Sequence, residues 1–363
     1  MDERKRKILE MLEEGHITAE EAESLLEALE DQKGDHRQSE KRHSHTTEKE
    51  QTERSGPSFQ ESVKSFTEGL FNIIDDTIQK VKDVPFEFNS PHVAVKRDFY
   101  FSSDDLRFLS VDLNNGSIKL MPSEDSTVHV ELNGKVYREK DEFTAESLFD
   151  KYVTAEKNNG TLQIEQDRKH ISVGVVIYLP RKEYEQAYLK STNGSITIHD
   201  CEIKIARISS MNGSVKLNKY SGDALYAVTK HGSVRLDEIE VSKVKAETTT
   251  GSLYVDGVME HINGDVVTGS VRVFIRNEDA VRADLKATTG SIQVYVPREI
   301  SINGSAQSSI GSVDINLPNV LQNHIENETL RKHMEFFSAT EETDYLEIDL
   351  STKTGSIRVY KLS

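Results

Sequence analysis

The stretch Thr250-Gly251-Ser252-Leu253-Tyr254-Val255 joins a turn signal to a run of alternating apolar and polar side chains. The same phrase recurs along the chain, with its glycine at Gly194, Gly213, Gly232, Gly251, Gly269, Gly290 and Gly311. Successive glycines in this series are 19, 19, 19, 18, 21 and 21 residues apart. Related phrases surround Gly116, Gly160 and Gly355. A fixed period of about 20 residues is typical of solenoid proteins, in which each repeat forms one stacked coil.

Each repeat predicts short strands that meet at a turn. Glycine adopts positive φ without a Cβ clash, and the Asn or Thr before it favours turns. Alternation after the turn predicts strands with one buried face, so we expect the inward side chains Val234, Leu236, Leu253 and Val255 to be buried. The glycines interpreted as structural repeat turns are Gly194, Gly213, Gly232, Gly251, Gly269, Gly290, Gly311 and Gly355.

The predicted fold class is therefore mainly β: a β-solenoid of stacked coils of about 19–21 residues. A small α-helical hairpin and an amphipathic helix are predicted to precede it. The handedness of the coil and the number of strands in each coil stay open at this point. Two insertions are predicted to be helical. One is the polar stretch at residues 139–157, and the other spans residues 319–342, where Leu330, Met334 and Phe337 have helical spacing.

Composition limits the classes of partner and the expected location. The chain has 62 acidic and 45 basic residues and a net charge of −17, which repels nucleic acid phosphates, so no nucleic acid partner is expected. A single cysteine, Cys201, fits a reducing compartment. No apolar signal segment follows Met1, and no apolar run reaches the length of about 18 residues needed for a membrane span. We expect a cytoplasmic protein, with peripheral attachment to the inner face of the membrane as a further option.

The chain divides into four predicted segments. Residues 1–30 form a helical hairpin, in which Thr18 and Glu21 make a capping box. Residues 31–57 contain charged and small polar side chains and no aliphatic residue, which predicts a disordered linker. Residues 58–84 form an amphipathic helix, and residues 85–363 form the β-repeat domain.

The helix at residues 58–84 carries the side chains that we select as candidates for contact with a partner or a membrane. They are Phe59, Phe66, Leu70, Phe71 and Ile74. One interpretation is that the broad apolar face covers an open end of the solenoid, since exposed strand edges tend to pair with other chains. The other interpretation is that this face docks on a partner protein or at a membrane surface.

Catalytic, cofactor and metal sites are not expected. The acidic candidates for catalysis resemble other outward polar side chains; they are Asp237, Glu238, Asp256 and Asp265. The residues His199, Asp200 and Cys201 are neighbours in the sequence, and this alone does not make a catalytic dyad. The histidines of the linker, His36, His43 and His45, lack a fixed ligand geometry. Sugar binding sites use aromatic faces, and Tyr254 and Tyr295 are the outward candidates for that role.

The N-terminal residues Ile8 to Ala22 resemble the short SHOCT-like helical hairpins found ahead of bacterial adhesin-like β-repeat domains. The Thr-Gly-Ser coils are similar to that β-repeat family itself, and the two resemblances together span nearly the whole chain apart from the linker. The resemblance implies a non-catalytic role near envelope-stress systems. It also implies a protein partner, with a small envelope-stress membrane protein as one such partner, and self-association through the hairpin.

The leading functional hypothesis is accordingly a non-enzymatic scaffold or interaction protein linked to cell-envelope or membrane stress. A surface adhesin or glycan-binding protein is the alternative. A polysaccharide-cleaving enzyme on a β-helix is the remote one, since it would require paired carboxylates on adjacent coils.

Overall fold

The computed structural model describes residues 91–327, 332–339 and 345–362. The predicted hairpin (1–30), linker (31–57) and amphipathic helix (58–84) lie outside these residues. The five contact candidates, Phe59, Phe66, Leu70, Phe71 and Ile74, therefore also lie outside them, as do the linker histidines His36, His43 and His45.

The described residues form 22 strands, in one hydrogen-bonded network, and one α-helix. The first part contains β1 (His92–Ser102), β2 (Phe108–Asn115), β3 (Ile118–Ser123), β4 (Thr127–Tyr137), α1 (Glu142–Tyr152), β5 (Val153–Asn158), β6 (Thr161–Gln166) and β7 (Ile171–Pro180). The middle contains β8 (Glu183–Asn193), β9 (Ile196–Asn212), β10 (Val215–His231), β11 (Val234–Thr250), β12 (Leu253–Val258), β13 (His261–Thr268) and β14 (Val271–Ile275). The last part contains β15 (Arg282–Thr289), β16 (Ile292–Val296), β17 (Ser301–Ile310), β18 (Val313–Asn316), β19 (Val320–Asn327), β20 (Lys332–Ser338), β21 (Tyr345–Thr354) and β22 (Ile357–Lys361).

Parallel pairing between successive coils confirms the predicted solenoid. In the middle of the stack, Val215 pairs with Val234, the equivalent residue of the next repeat. The inward side chains Val234, Leu236 and Val255 have no accessible surface. Together with their equivalents in other coils they form one continuous hydrophobic core. Stacking of in-register coils therefore converts a sequence period into a long, narrow core.

The coils that begin with β9, β10 and β11 have a second type of corner that lacks glycine. Asp200, Lys219 and Glu238 adopt φ of 48°, 54° and 52° and occupy equivalent positions in successive repeats. The parallel pairing of β10 with β11 skips Lys219 and Glu238, and it skips once more between Gly222 and Ala224. The β10 and β11 coils therefore each consist of three straight segments, which answers for these coils the question of strand number that the sequence left open.

Coils at both ends of the stack depart from chain order. The β2–β3 coil lies between the β6–β7 coil and the coil formed by β8 and the start of β9. At the other end, the β21–β22 coil lies between the β15–β16 and β17–β18 coils. The last coil in sequence is thus the penultimate coil in space.

Antiparallel strands terminate the stack at the N-terminal end. β4 pairs antiparallel with β7, β1 pairs with β4, and β5 pairs with β6. The helix α1, which lies within the insertion predicted to be helical, begins after Asp141, whose carboxylate accepts a hydrogen bond from the Thr144 amide at 2.8 Å. Its Phe149 packs on Gly134 of β4, where a Cβ would lie 2.1 Å from the ring. The end of the core is therefore covered by elements of the repeat domain itself.

The C-terminal end is closed by a hairpin, and here the prediction of a helix within residues 319–342 is wrong. β20 pairs antiparallel with β17, and β19 pairs with β20. The helical spacing of Met334 and Phe337 suggested a helix, but the chain buries Met334 and Phe336 and exposes Phe337, which is the alternation of a strand. Leu330 lies outside the described residues. The segment forms strands because β17, in the outermost coil, has a free edge that needs hydrogen-bond partners, and β20 pairs with it.

Candidate functional site

The repeat glycines stand one above another and form a continuous column along the stack. In spatial order the column is Gly116, Gly194, Gly213, Gly232, Gly251, Gly269, Gly290, Gly355 and Gly311. A Cβ added to Gly251 would lie 1.9 Å from the carbonyl oxygen of Gly232, and one added to Gly290 would lie 1.7 Å from that of Gly269. Gly251 also has φ of 151°, which L side chains rarely adopt. These positions admit no side chain, so the column is a structural corner with no room for a ligand.

A column of hydroxyl groups supports the glycine column. Thr229 and Thr248, each three residues before a glycine, donate from Oγ1 to the carbonyl oxygens of Gly213 and Gly232 at 2.7 Å. Equivalent bonds come from Ser191, Ser210, Ser308 and Thr352. Sequence reasoning missed this column, although a Ser or Thr three residues before the glycine was a visible signal. The hydroxyls satisfy buried carbonyl groups, and the column is therefore structural as well.

The two outward tyrosines selected for sugar binding lie in a single aromatic stack. Phe274 lies between them, with its ring centroid 5.7 Å from that of Tyr254 and 4.4 Å from that of Tyr295. Tyr360 extends the stack at 5.2 Å from Tyr295, and the guanidinium of Arg235 lies 4.1 Å from the Tyr254 ring centroid. Sugar recognition requires free ring faces, whereas these faces contact one another or Arg235. The stack thus stabilises neighbouring coils.

The carboxylates considered for acid–base chemistry are mostly paired with arginine. Asp256 accepts two hydrogen bonds from the Arg276 guanidinium, at 2.6 and 2.7 Å. Asp237 lies 2.8 Å from Arg235, and Glu238 is exposed at the left-handed corner. The carboxylates of Asp256 and Asp237 are therefore committed to hydrogen bonds with arginine.

Asp265 differs from the other candidates because it faces Glu247 on the adjacent coil. Burial raises its pKa above the ordinary value, and the charge of Glu247 raises it further, while Lys286 and Lys245 oppose the shift. Glu247 is itself engaged by Lys245 at 2.8 Å. The pair therefore belongs to a column of mixed charges. Two carboxylates do meet on adjacent coils, yet one of them already has a cation as its partner.

The only cysteine is not placed as a nucleophile. Cys201 is buried, its Sγ donates to the backbone carbonyl of His199 at 3.1 Å, and the His199 side chain is exposed. Burial raises the pKa of the Cys201 thiol to about 12, and the neighbouring carboxylate of Asp200 adds to this shift. A thiol with such a pKa is almost entirely protonated at neutral pH, whereas nucleophilic attack requires the thiolate.

A concavity of about 490 Å³ lies between the C-terminal hairpin and the adjacent coils. Leu321 of β19 and Phe337 of β20 are register partners in the hairpin, and both line the concavity, with 71% and 40% of their surfaces exposed. Its arginine, Arg282, is bound to Asp284 at 2.8 Å and to Glu347 at 2.6 Å. The concavity therefore offers exposed apolar surface but no uncommitted cation for an acidic ligand.

One group of side chains in the described residues has the composition of a metal site. Asp98, His129 and Glu131 place their ligand atoms within 4.8 Å of one another on the outer face of β1 and β4.

Among the described residues, no helix is long and apolar enough to cross a membrane.

Comparison with known proteins matches both parts of the chain. The family model of the Toastrack DUF4097 domain matches residues 107–360, and that of a SHOCT-like domain matches residues 3–34. The protein YvlB of Bacillus subtilis is 29% identical over 211 residues, and the match covers 56% of this chain and 56% of YvlB. The chain thus spans about half the length of this curated relative.

Two solved structures are among those to which the chain is similar. One is a candidate adhesin from Parabacteroides merdae, at 12% identity, with a TM-score of 0.36, covering 74% of this chain and 96% of that one. The other is a candidate adhesin from Parabacteroides distasonis, also at 12% identity, with a TM-score of 0.37, covering 76% of this chain and 98% of that one.

Proposed function

Because this chain belongs to the Toastrack DUF4097 family, we propose that it is a non-catalytic interaction protein that acts at the bacterial cell envelope. The observation that carries this proposal is that most of the side chains considered for catalysis are buried or already bound to other side chains. The Cys201 thiol is buried and protonated, Asp256 is bound by Arg276, and the glycine column has no free space. What the repeat domain offers to other molecules is a rigid and extended surface.

In this proposal the N-terminal segments recruit the partner and the repeat domain holds it. The match of residues 3–34 to a SHOCT-like domain supports a role for the hairpin in interaction or self-association. The apolar face with Phe59, Phe66, Leu70, Phe71 and Ile74 then docks on a membrane protein at the inner face of the cytoplasmic membrane. A net charge of −17 works against direct binding to anionic lipid, so a protein partner, such as a small envelope-stress membrane protein, is favoured over lipid.

The glycan-binding alternative loses its candidate residues in the structure. Tyr254 and Tyr295 use their ring faces within the aromatic stack, which leaves mainly their edges for a ligand. The alternative of a polysaccharide-cleaving enzyme is weakened in the same way, since the carboxylate of Glu247 is paired with Lys245.

The proposal is tested with the full chain in cells and in vitro. We expect Phe66→Ser combined with Leu70→Ser to abolish co-flotation with membranes while leaving the melting temperature of the purified protein unchanged. A matched control, Lys64→Ser combined with Asp75→Ser, removes one charge of each sign from the predicted polar face and should float like the wild type. Purified protein should not float with vesicles of phosphatidylglycerol and phosphatidylethanolamine.

Three outcomes would contradict the proposal. A wild-type protein absent from the membrane fraction would remove the envelope role. A double variant that melts early would show that the helix packs within the protein instead. Flotation of the purified wild type with lipid vesicles alone would replace the protein partner by the bilayer.

A further inference from the structure

The outer face of the N-terminal end brings together three metal-ligating side chains from two antiparallel strands. Asp98 of β1 lies directly opposite Glu131 of β4, so the two carboxylates share one face of the sheet. His129 precedes Glu131 by two residues on the same strand and therefore lies on that face too. The ligand atoms of the three residues all lie within 4.8 Å of one another.

The imidazole of His129 is held in place from both sides. Its ring stacks on Tyr100 of β1 at a centroid distance of 4.5 Å and on Tyr178 of β7 at 5.3 Å, with interplanar angles of 2° and 14°. Its Nε2 lies 2.8 Å from Asp98 Oδ1. The side chain is 24% exposed, so the ring is restrained yet partly open to solvent. An imidazole that is already ordered loses little entropy on binding an ion.

Glu131 also has a partner that orients it. Tyr178 forms a hydrogen bond with the Glu131 carboxylate, and burial together with the charge of Glu131 raises the pKa of the phenol. Partners of this kind fix the direction of a ligating carboxylate, and their loss typically weakens metal binding. Tyr178 therefore contributes twice, by stacking on the histidine and by positioning the carboxylate.

We propose that Asp98, His129 and Glu131 bind one Zn²⁺ ion on the outer face of β1 and β4. Imidazole nitrogen with carboxylate oxygens is a donor set that suits zinc, whereas Ca²⁺ and Mg²⁺ prefer oxygen ligands alone. Four-coordinate zinc with bonds of about 2.0–2.1 Å places its donors about 3.4 Å apart. The His129–Asp98 separation of 2.8 Å would therefore widen slightly, and any separation near the limit of 4.8 Å would shorten. Water completes the coordination. The ion replaces the hydrogen bond between His129 and Asp98, and its two charges balance the two carboxylates.

The consequence of binding concerns the first strand of the repeat domain. Among the described residues, β1 pairs only with β4. An ion ligated by Asp98 of β1 and by His129 and Glu131 of β4 ties the two strands together. Zinc should therefore slow hydrogen exchange in β1 more than in the middle coils.

The experiment uses untagged full-length protein treated with chelator and then freed of it. The linker histidines can bind zinc themselves, so the reference protein carries His36→Gln, His43→Gln and His45→Gln. Calorimetric titration of this reference with ZnCl₂ should show one ion per chain. Replacement by Co²⁺ should give the visible absorption of a cobalt ion with nitrogen and oxygen ligands.

Variants in the reference background separate a metal site from a structural cluster. His129→Gln and Glu131→Gln should each weaken zinc affinity by more than about 100-fold, beyond the loss of about 10–100-fold that is typical of an orienting partner. His199→Gln changes an exposed histidine elsewhere and should leave affinity unchanged. Tyr178→Phe should weaken binding by a smaller factor, and MgCl₂ should give no heat.

The proposal fails if the reference protein gives no saturable zinc binding. It also fails if Glu131→Gln, which preserves the shape of the side chain, leaves the affinity unaltered. Should His129→Gln melt early without metal, Glu131→Gln and Asp98→Asn decide the question alone, because neither removes the stacked ring. This test is independent of the envelope role, since it requires no membrane or partner.

Discussion

The middle coils and the end coils of the solenoid are built from the same repeat but are ordered differently. From β9 to β11 the coils keep a constant length and follow one another in chain order. At the N-terminal end β2 lies between β6 and β8, and at the C-terminal end β21 lies between β15 and β17. At both ends, antiparallel strands then close the outermost coil.

This difference shows that the repeat motif determines the structure of a single coil, whereas the need to close the two ends determines the order in which the coils stack. A middle coil has a neighbour on each side that satisfies its backbone groups. An outermost coil has one such neighbour, and its other edge would recruit foreign strands if it were left open. Closing that edge requires the chain to turn back, and the returning chain then supplies one more coil. This coil is the outermost one, β6–β7, at the N-terminal end and the penultimate one, β21–β22, at the C-terminal end.

The largest expected effect on stability comes from substituting a glycine in the middle of the glycine column, compared with a glycine at its end. Gly251→Val places a Cβ 1.9 Å from the Gly232 carbonyl oxygen and forces a β-branched residue into φ of 151°. We expect a loss of about 5 kcal/mol of unfolding free energy, because both the backbone and the next coil must shift. Gly311→Val meets the same clash with Gly355 but in the outermost coil, which can open locally.

Chemical denaturation measures both variants. Gly251→Val should lower the midpoint of the global transition, whereas Gly311→Val should cost less and mainly increase hydrogen exchange in β18. Equal losses for the two variants would mean that the end coil is as cooperative as the middle.

A smaller effect compares two valines at the same position of the repeat. Val234 and Val313 both lie two residues after the corner glycine, but Val234 is fully buried and Val313 is 9% exposed. Val234→Ala should cost about 2 kcal/mol, from two lost methyl groups and the cavity that they leave. Val313→Ala should cost about half as much, because β18 pairs with β22 alone among the described residues. Thermal unfolding of the two variants checks the ratio, and a larger loss for Val313→Ala would reverse the comparison.

The sequence was sufficient to predict the coil itself, because its signals are local. Glycine, the turn residue before it and the alternation after it all lie within one short stretch, such as Thr250 to Val255. The hydroxyl three residues before the glycine was equally local and was overlooked. The left-handed corner could not be found, since Asp200, Lys219 and Glu238 share no residue type that marks a turn.

The order of the coils and the zinc ligands depend on contacts that no local pattern reveals. Gly355 stacks on Gly290, which lies several strands earlier in the chain, and Gly311 stacks on Gly355. Asp98 and His129 meet only because β1 and β4 pair antiparallel in one particular register. The hairpin was mistaken for a helix because a few apolar residues fit either period until a neighbouring strand selects one.

The hydroxyl column gives a test of moderate size that also contrasts middle and end. Thr248→Val removes the hydrogen bond to the Gly232 carbonyl while keeping the shape of the side chain. We expect a loss of about 1 kcal/mol of unfolding free energy, which is at the low end for a buried polar group left without a hydrogen-bond partner. The loss should be small because two other coils have apolar residues, Val266 and Ala287, at the same position. Ser308→Ala at the end coil should cost less. Thr249→Val, at an exposed neighbour, is the matched control and should leave unfolding unchanged.

The smallest expected effect concerns charge, and it follows from the in-register stacking of the middle coils. Stacking places Asp265 beside Glu247, whereas the antiparallel N-terminal end pairs Asp98 with His129. Burial and Glu247 raise the pKa of Asp265 above its ordinary value of 3.8. Between the ordinary and the raised pKa the folded state binds more protons than the unfolded state, so this group makes stability fall as pH rises through that window.

Asp265→Asn removes the penalty and should raise the melting temperature at pH 7. The gain should shrink as the pH approaches the ordinary pKa and disappear below it, where the aspartate is protonated in both states. Asp284→Asn is the matched control, because Asp284 is bound by the Arg282 guanidinium at 2.8 and 3.1 Å and should lose stability or stay unchanged. A gain at pH 7 from Asp284→Asn as well would show only that removing any acidic charge from a protein of net charge −17 is favourable. An Asp265→Asn variant that melts at or below the wild-type temperature at pH 7 would mean that Lys286 and Lys245 outweigh burial and Glu247, and that the column of charges stabilises the middle of the stack.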